Sequence, residues 1–113
     1  MTPGVLKQAA SALLLATGVF HLIVAVMGAP SELKIPLVVF GVGYFGLGIW
    51  TRMGGRTAFL TTILVTALGI VFGGQYYLAH GGPATLPVAC AVNVFILAAC
   101  ALWLVKMKSG AED

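Results

Sequence analysis

The chain has 113 residues, of which 60% are hydrophobic and only 8% are charged, with a net charge of +3 and a mean hydropathy of +1.07. Soluble domains carry about a quarter charged residues, and a chain this small needs a large polar surface to stay in water. The composition therefore excludes an ordinary soluble domain and indicates a surface that faces lipid. The basic residues are scattered between apolar runs, so we expect no nucleic-acid partner.

Four apolar runs follow one another along the chain, at residues 5–27, 35–51, 58–79 and 88–105. A bilayer needs roughly 17–25 residues per helix, and backbone groups in hydrocarbon must bond within their own segment. Connections of only a few residues make consecutive helices antiparallel neighbours. We therefore predict a single domain over residues 1–113, an all-α integral membrane protein built as an antiparallel four-transmembrane-helix bundle.

The first run could be mistaken for the apolar part of a secretory signal peptide. It is longer than the roughly 7–15 residues of that part, and Pro30 directly follows the only tempting cleavage point. We interpret the run as a retained first span that ends at residues 28–30. A second turn is predicted at residues 81–83, before the fourth span.

The basic residues predict the orientation. Five of the six lie on one side of a four-span arrangement, in the N-terminal flank, the middle loop and the C-terminal tail: Lys7, Arg52, Arg56, Lys106 and Lys108. The other side has Lys34, offset by Glu32. Because cytoplasmic loops are enriched in Lys and Arg, we predict cytoplasmic N- and C-termini. We expect a multi-pass protein of a bacterial inner (cell) membrane.

Small residues recur at helical spacing in the second and third spans. Such a pattern lets a neighbouring helix approach closely in lipid, and the third span contains the Gly-x-x-x-Gly motif typical of such contacts. The predicted helix-packing residues are Gly41, Gly48, Thr62, Thr66, Gly69 and Gly73. The pattern leaves two alternatives open, packing within one bundle or a surface for another subunit.

Polar side chains within apolar spans are candidates for a ligand-binding site. A rise of 1.5 Å per residue places His21 and Asn93 roughly 9–11 Å below the outer surface, and Gln75 roughly 6 Å below it. Tyr76 and Tyr77 could close this group from above. We predict these five residues as a ligand-binding group, with His21 the strongest candidate because imidazole exchanges its proton near neutral pH. The alternative is that they only bond helices to one another.

Several activities lack the residues that they need. No Asp or Glu lies within a predicted span, which removes the usual carrier of proton-coupled export. His21 and His80 lie at different depths, which argues against a bis-histidine haem. No nucleophile–base pair, phosphate-binding loop or metal-ligand cluster is recognisable, so we expect no catalytic residue, metal or cofactor.

Two functions remain after these exclusions, and an enzyme is the least favoured class. The first-ranked interpretation is an accessory or scaffolding subunit that packs among membrane lipids in a homo-oligomer or a larger membrane complex. The alternative is a binder or transporter of a small molecule or lipid that uses the polar group in the outer half of the membrane.

Overall fold

The structure is a computed structural model that describes residues 2–28, 31–81 and 84–108. Within these ranges the chain forms four α-helices: α1 (Pro3–Val26), α2 (Ser31–Met53), α3 (Arg56–His80) and α4 (Thr85–Lys108). All four are long and apolar enough to cross a membrane. The prediction of an all-helical chain with four such helices is confirmed.

The helices extend beyond the predicted apolar runs. α2 begins at Ser31 rather than at residue 35, and α4 begins at Thr85 rather than at residue 88. The added turns include polar residues such as Glu32, which a helix end accommodates, so hydropathy marks the apolar segment and not the end of the helix. Residues 29, 30, 82 and 83 of the predicted turns, and the tail at 109–113, lie outside the described residues.

Local signals set the helix ends. The Thr2 hydroxyl accepts a hydrogen bond from the Val5 amide at 3.2 Å, which caps α1. α3 is capped at its C-terminal end by Gly81, whose φ of 72° is left-handed and whose N–H donates to the Tyr77 carbonyl at 2.7 Å. Glycine adopts this conformation without strain, so Gly81 terminates the helix.

The helices form an antiparallel ring in chain order. Near the start of α1, Ser11 donates to the Gly48 carbonyl near the end of α2, and farther along α1 Leu22 lies against Gly41. α1 packs extensively on α2, α3 packs on α4, and α4 also contacts α1, whereas α2 and α3 touch only sparsely. The ring therefore has one thin seam, which we call the α2–α3 seam.

Glycines bring α1 and α2 into close contact. A Cβ added at Gly41 would lie 3.0 Å from the Gly18 carbonyl oxygen, and one added at Gly48 would lie 2.7 Å from Leu15 Cγ. Gly41 and Gly48 therefore pack within this chain. Gly43 and Gly46 differ, because no described atom outside their own helix lies within 4 Å of an added Cβ.

The first residues of the small-residue stripe in α3 face the interior of the bundle. Thr62 and Thr66 are fully buried, and each hydroxyl donates at 2.8 Å to the carbonyl four residues earlier in α3. Because these hydroxyls are satisfied within their own helix, the two threonines supply close packing rather than interhelical hydrogen bonds. Gly69 and Gly73 continue the stripe toward α2 and α4.

Two apolar clusters fill the bundle. The larger one contains Leu6, Leu14, Leu47, Phe59, Ile96 and Trp103. It lies toward the end where α1 and α3 begin, which we call the basic end because it carries Lys7, Arg52 and Arg56. The smaller cluster, at the opposite end, contains Ala25, Leu33, Leu37 and Leu86. Many large apolar side chains point outward, among them Leu64 and Phe95, as expected of a surface in contact with lipid.

Candidate functional site: a cavity at the α2–α3 seam

A cavity of about 420 Å³ lies along the α2–α3 seam, in the half of the bundle away from the basic end. Its walls are mainly apolar and come from α2 (Leu37 and Phe40), α3 (Phe72) and α4 (Leu86 and Ala89). Volumes of roughly 300–1,000 Å³ with a few placed polar groups are usual for sites that bind small molecules. The cavity therefore has the size and lining of a ligand site.

Two polar side chains, each with one buried oxygen that lacks a hydrogen-bond partner among the described residues, form the floor of the cavity. Tyr44 of α2 is completely buried, and Asn93 of α4 is 2% exposed. Neither the Tyr44 hydroxyl nor Asn93 Oδ1 has a hydrogen-bond partner among the described residues. A buried polar atom left unsatisfied costs about 1–3 kcal/mol, so nearly all such atoms in folded proteins are paired. Two such atoms beside one cavity indicate that a molecule bound in the cavity supplies the missing hydrogen bonds.

Gly69 of α3 makes room for this floor. A Cβ added at Gly69 would lie 2.6 Å from the Tyr44 hydroxyl and 2.9 Å from Asn93 Nδ2. Both distances are shorter than a Cβ tolerates, so any larger residue would displace the polar pair. The corresponding distance at Gly73, one turn on, is an ordinary 3.4 Å to Cys90 Sγ. Gly69 is therefore the position on α3 where the missing side chain matters most for the site.

His21 of α1 adds a third polar group to the lining. Its Nδ1 lies 2.8 Å from the Thr17 carbonyl oxygen, and because a carbonyl can only accept, Nδ1 carries a proton. In a neutral ring this leaves Nε2 as a hydrogen-bond acceptor. The ring centroid lies 5.4 Å from that of Tyr44. His21 is thus held by its own helix in one tautomer next to the cavity floor.

A polar contact spans the seam at the mouth of the cavity. The Tyr76 hydroxyl of α3 donates to Glu32 Oε1 of α2 at 2.6 Å, and both residues line the cavity. The His80 ring stacks on Tyr76 with a centroid distance of 4.1 Å. This contact is exposed and joins the two helices that otherwise meet least. It lies where a molecule would pass between α2 and α3.

The structure brings together only part of the predicted polar group. His21, Asn93 and Tyr76 line the cavity. Gln75 is exposed on the outside of α3, and Tyr77 is half-buried against the smaller apolar cluster, so neither lines the cavity.

Tyr44 and Glu32 line the cavity but were not among the predicted site residues. The available signal for Tyr44 was its helical phase, because it shares a face with the packing residues Gly41 and Gly48. Glu32 precedes the predicted second span, and its helical turn is not visible from hydropathy.

The arrangement provides groups that can hold a molecule. The lining provides hydrogen-bond acceptors and the hydroxyls of Tyr44 and Tyr76. In the part of the chain that the structure describes, no cluster of His, Cys, Asp or Glu could hold a metal ion. No family model, curated protein or solved structure matches this chain.

Proposed function

We propose that this chain is a multi-pass protein of a bacterial inner membrane, with both termini cytoplasmic, that binds a small, mainly apolar, uncharged molecule in the cavity at the α2–α3 seam. The observation that carries this proposal is a pair of buried oxygens beside a cavity of about 420 Å³, Tyr44 Oη and Asn93 Oδ1, which have no hydrogen-bond partner among the described residues. The predicted orientation puts this cavity in the outer half of the membrane.

The polar groups define the hydrogen-bonding chemistry of the ligand. His21 Nε2 and Asn93 Oδ1 accept hydrogen bonds, and the Tyr44 hydroxyl both donates and accepts. A ligand headgroup that carries a donor, such as a hydroxyl or an amide N–H, satisfies the two acceptors. The apolar walls, including Phe40 and Phe72, then cover a hydrocarbon or ring portion.

The charges of the lining favour a neutral ligand. Among the described residues that line the cavity there is no Lys or Arg, so an anionic headgroup would be buried without a counter-charge. The carboxylate in the lining is that of Glu32, which lies at the mouth and already accepts from Tyr76. Burying an unpaired charge is far less favourable than burying a hydroxyl that is hydrogen-bonded.

A set of three probes with one chain length tests this proposal: decanol, decanoate and decylamine. In neutral detergent we expect decanol to raise the midpoint of thermal unfolding more than either charged probe. The double variant Tyr44→Phe, Asn93→Leu should weaken decanol binding by roughly two- to tenfold for each lost hydrogen bond. The matched control is Gln75→Leu, which removes a polar side chain of α3 outside the cavity and should bind decanol like the wild type.

Two results would contradict the proposal. Equal stabilisation by all three probes would mean that they act through the micelle rather than in a site. Equal loss of decanol binding in Gln75→Leu and in the double variant would mean that the cavity residues have no special part in it.

A second candidate is the accessory or scaffolding subunit in a homo-oligomer or larger complex. The observation that favours it is the pair of open glycines on α2, Gly43 and Gly46, next to the exposed apolar side chains Val39 and Val42. Close helix contact in lipid uses small residues of this kind. Replacing both glycines by Leu should abolish a crosslinkable oligomer if α2 contacts another subunit, and should leave decanol binding unchanged.

A further inference from the structure

A second concave site lies at the basic end, far from the cavity of the proposed function. It is a groove of about 350 Å³ between the start of α3 and the last turns of α4. Its lining consists of Gly55, Arg56, Trp103, Leu104, Met107 and Lys108. The groove thus combines two cations with an apolar strip. This combination is complementary to a lipid with an anionic headgroup and acyl chains.

The two cations of the groove are available to a ligand. Arg56 and Lys108 form no hydrogen bond or ion pair with any residue that the structure describes. No acidic side chain occurs among the described residues that line the groove. By contrast, Arg52, at the same end, is already engaged, since its Nε donates to the Ser11 hydroxyl at 3.2 Å. The charges of Arg56 and Lys108 therefore lie together in the groove without a partner among the described residues.

Trp103 gives the groove a rigid wall and a further donor. Its ring is stacked on Phe59 at a centroid distance of 3.8 Å, and the residue is 7% exposed. The indole Nε1–H can only donate a hydrogen bond. A donor in the lining of a cationic groove adds to the preference of the groove for a ligand with acceptor oxygens.

The backbone at the start of α3 also favours an anion in the groove. α3 starts at Arg56, its N-cap residue is Gly55, and no side chain caps the first N–H groups of the helix. Uncapped N–H groups and the positive end of the helix dipole favour an anion at this position. The cations, the indole N–H and the helix start therefore all favour negatively charged oxygen.

We propose that this groove binds the phosphate group of an anionic phospholipid, with the acyl chains along Leu104 and Met107. The proposal depends on membrane insertion but not on the cavity ligand. The predicted orientation places the groove in the cytoplasmic leaflet, where a basic residue near anionic lipid contributes about fivefold in affinity. Phosphatidylglycerol supplies both the phosphate and the chains, whereas inorganic phosphate supplies only the charge.

Trp103 allows a direct test by fluorescence. In a Trp50→Phe background Trp103 is the one tryptophan left, so brominated lipid that enters the groove quenches the emission. We expect brominated phosphatidylglycerol to quench at lower mole fraction than brominated phosphatidylcholine with the same chains. Arg56→Gln and Lys108→Gln should each reduce this preference about fivefold, and Lys7→Gln, the matched loss of charge at the same end, should keep it.

Three outcomes would overturn the proposal. Equal quenching by the two brominated lipids would show that no anionic headgroup is selected. Equal loss in Lys7→Gln would assign the preference to the general charge of this end. A preference that appears only after deletion of residues 109–113, which include Glu112 and Asp113, would identify the acidic tail as the occupant.

Inorganic phosphate distinguishes the two sources of the anion. If the groove holds a lipid, sodium phosphate at the ionic strength of a sodium chloride control should not displace brominated phosphatidylglycerol beyond the effect of that control. Specific displacement by phosphate would contradict a lipid site. The unfolding midpoint of each variant, measured in parallel, verifies that the substitutions leave the bundle folded.

Discussion

Replacing Tyr44 by Phe removes one oxygen from the floor of the cavity and leaves the ring in place. In the ligand-free protein that hydroxyl is buried without a partner among the described residues. An unsatisfied buried polar group costs about 1–3 kcal/mol, so its removal should raise the free energy of unfolding by a similar amount. The same change removes a contact to the ligand, so affinity for decanol should fall roughly two- to tenfold. Stability and binding are expected to change in opposite directions.

The assay is a titration with a denaturing detergent in neutral micelles, followed by the same titration with decanol present. Tyr77→Phe is the matched control, because it deletes the same atom from the neighbouring helix. The Tyr77 hydroxyl is not a buried unpaired atom, and the residue does not line the cavity. We expect Tyr77→Phe to leave both the free energy of unfolding and decanol binding close to those of the wild type.

A destabilised Tyr44→Phe variant would refute this reasoning. It would show that the hydroxyl is hydrogen-bonded in the ligand-free protein, as in a group that only holds helices together. Interhelical hydrogen bonds of that type contribute about 0.6–2 kcal/mol, so the two explanations predict opposite signs of comparable size. Unchanged decanol binding in the same variant would remove Tyr44 from the site.

Two further variants test the geometry of the seam, and a labelling experiment tests the orientation. Gly69→Ala gains up to about 1 kcal/mol of helix propensity but meets an overpacking cost of about 1–3 kcal/mol, so stability should change little or fall while decanol binding is lost. Gly73→Ala, whose added Cβ would make only an ordinary contact of 3.4 Å to Cys90 Sγ, should keep binding in the same titration. Tyr76→Phe breaks the contact across the mouth, so decanol should dissociate faster in a stopped-flow experiment with little change in the unfolding midpoint. In a cysteine-free background, an impermeant thiol reagent should label Ser31→Cys from outside intact cells but not Met53→Cys; the reverse pattern would invert the predicted orientation.

The fold could be predicted from the sequence because the apolar runs have the length of a bilayer span and the connections are short. The ends of the helices were harder to predict from the sequence. Ser31 and Thr85 begin helices several residues before the apolar runs, since a helix continues into polar residues wherever its backbone is capped or solvated. Hydropathy reports where a segment can contact hydrocarbon, not where its hydrogen bonding stops.

The site was only partly predictable, because distance along a helix gives depth but not direction. The depth estimate placed His21, Gln75 and Asn93 at similar levels, and the structure brings two of them to one cavity. Gln75 lies six residues after Gly69, which turns it to the outer side of a helix with 3.6 residues per turn. Which face of α3 points inward depends on the positions of α2 and α4. A single helical run does not contain that information.

The most direct test of the cavity is to find where a bound molecule lies. A decanol analogue with a diazirine on its chain can be photolysed in the presence of the protein, and the modified peptides can be located by mass spectrometry. We predict modification of cavity-lining residues that face inward, such as Leu37, Phe40 and Leu86, suppressed by excess decanol. Modification confined to outward-facing residues such as Leu64 and Phe95, unaffected by excess decanol, would contradict a binding site at the α2–α3 seam.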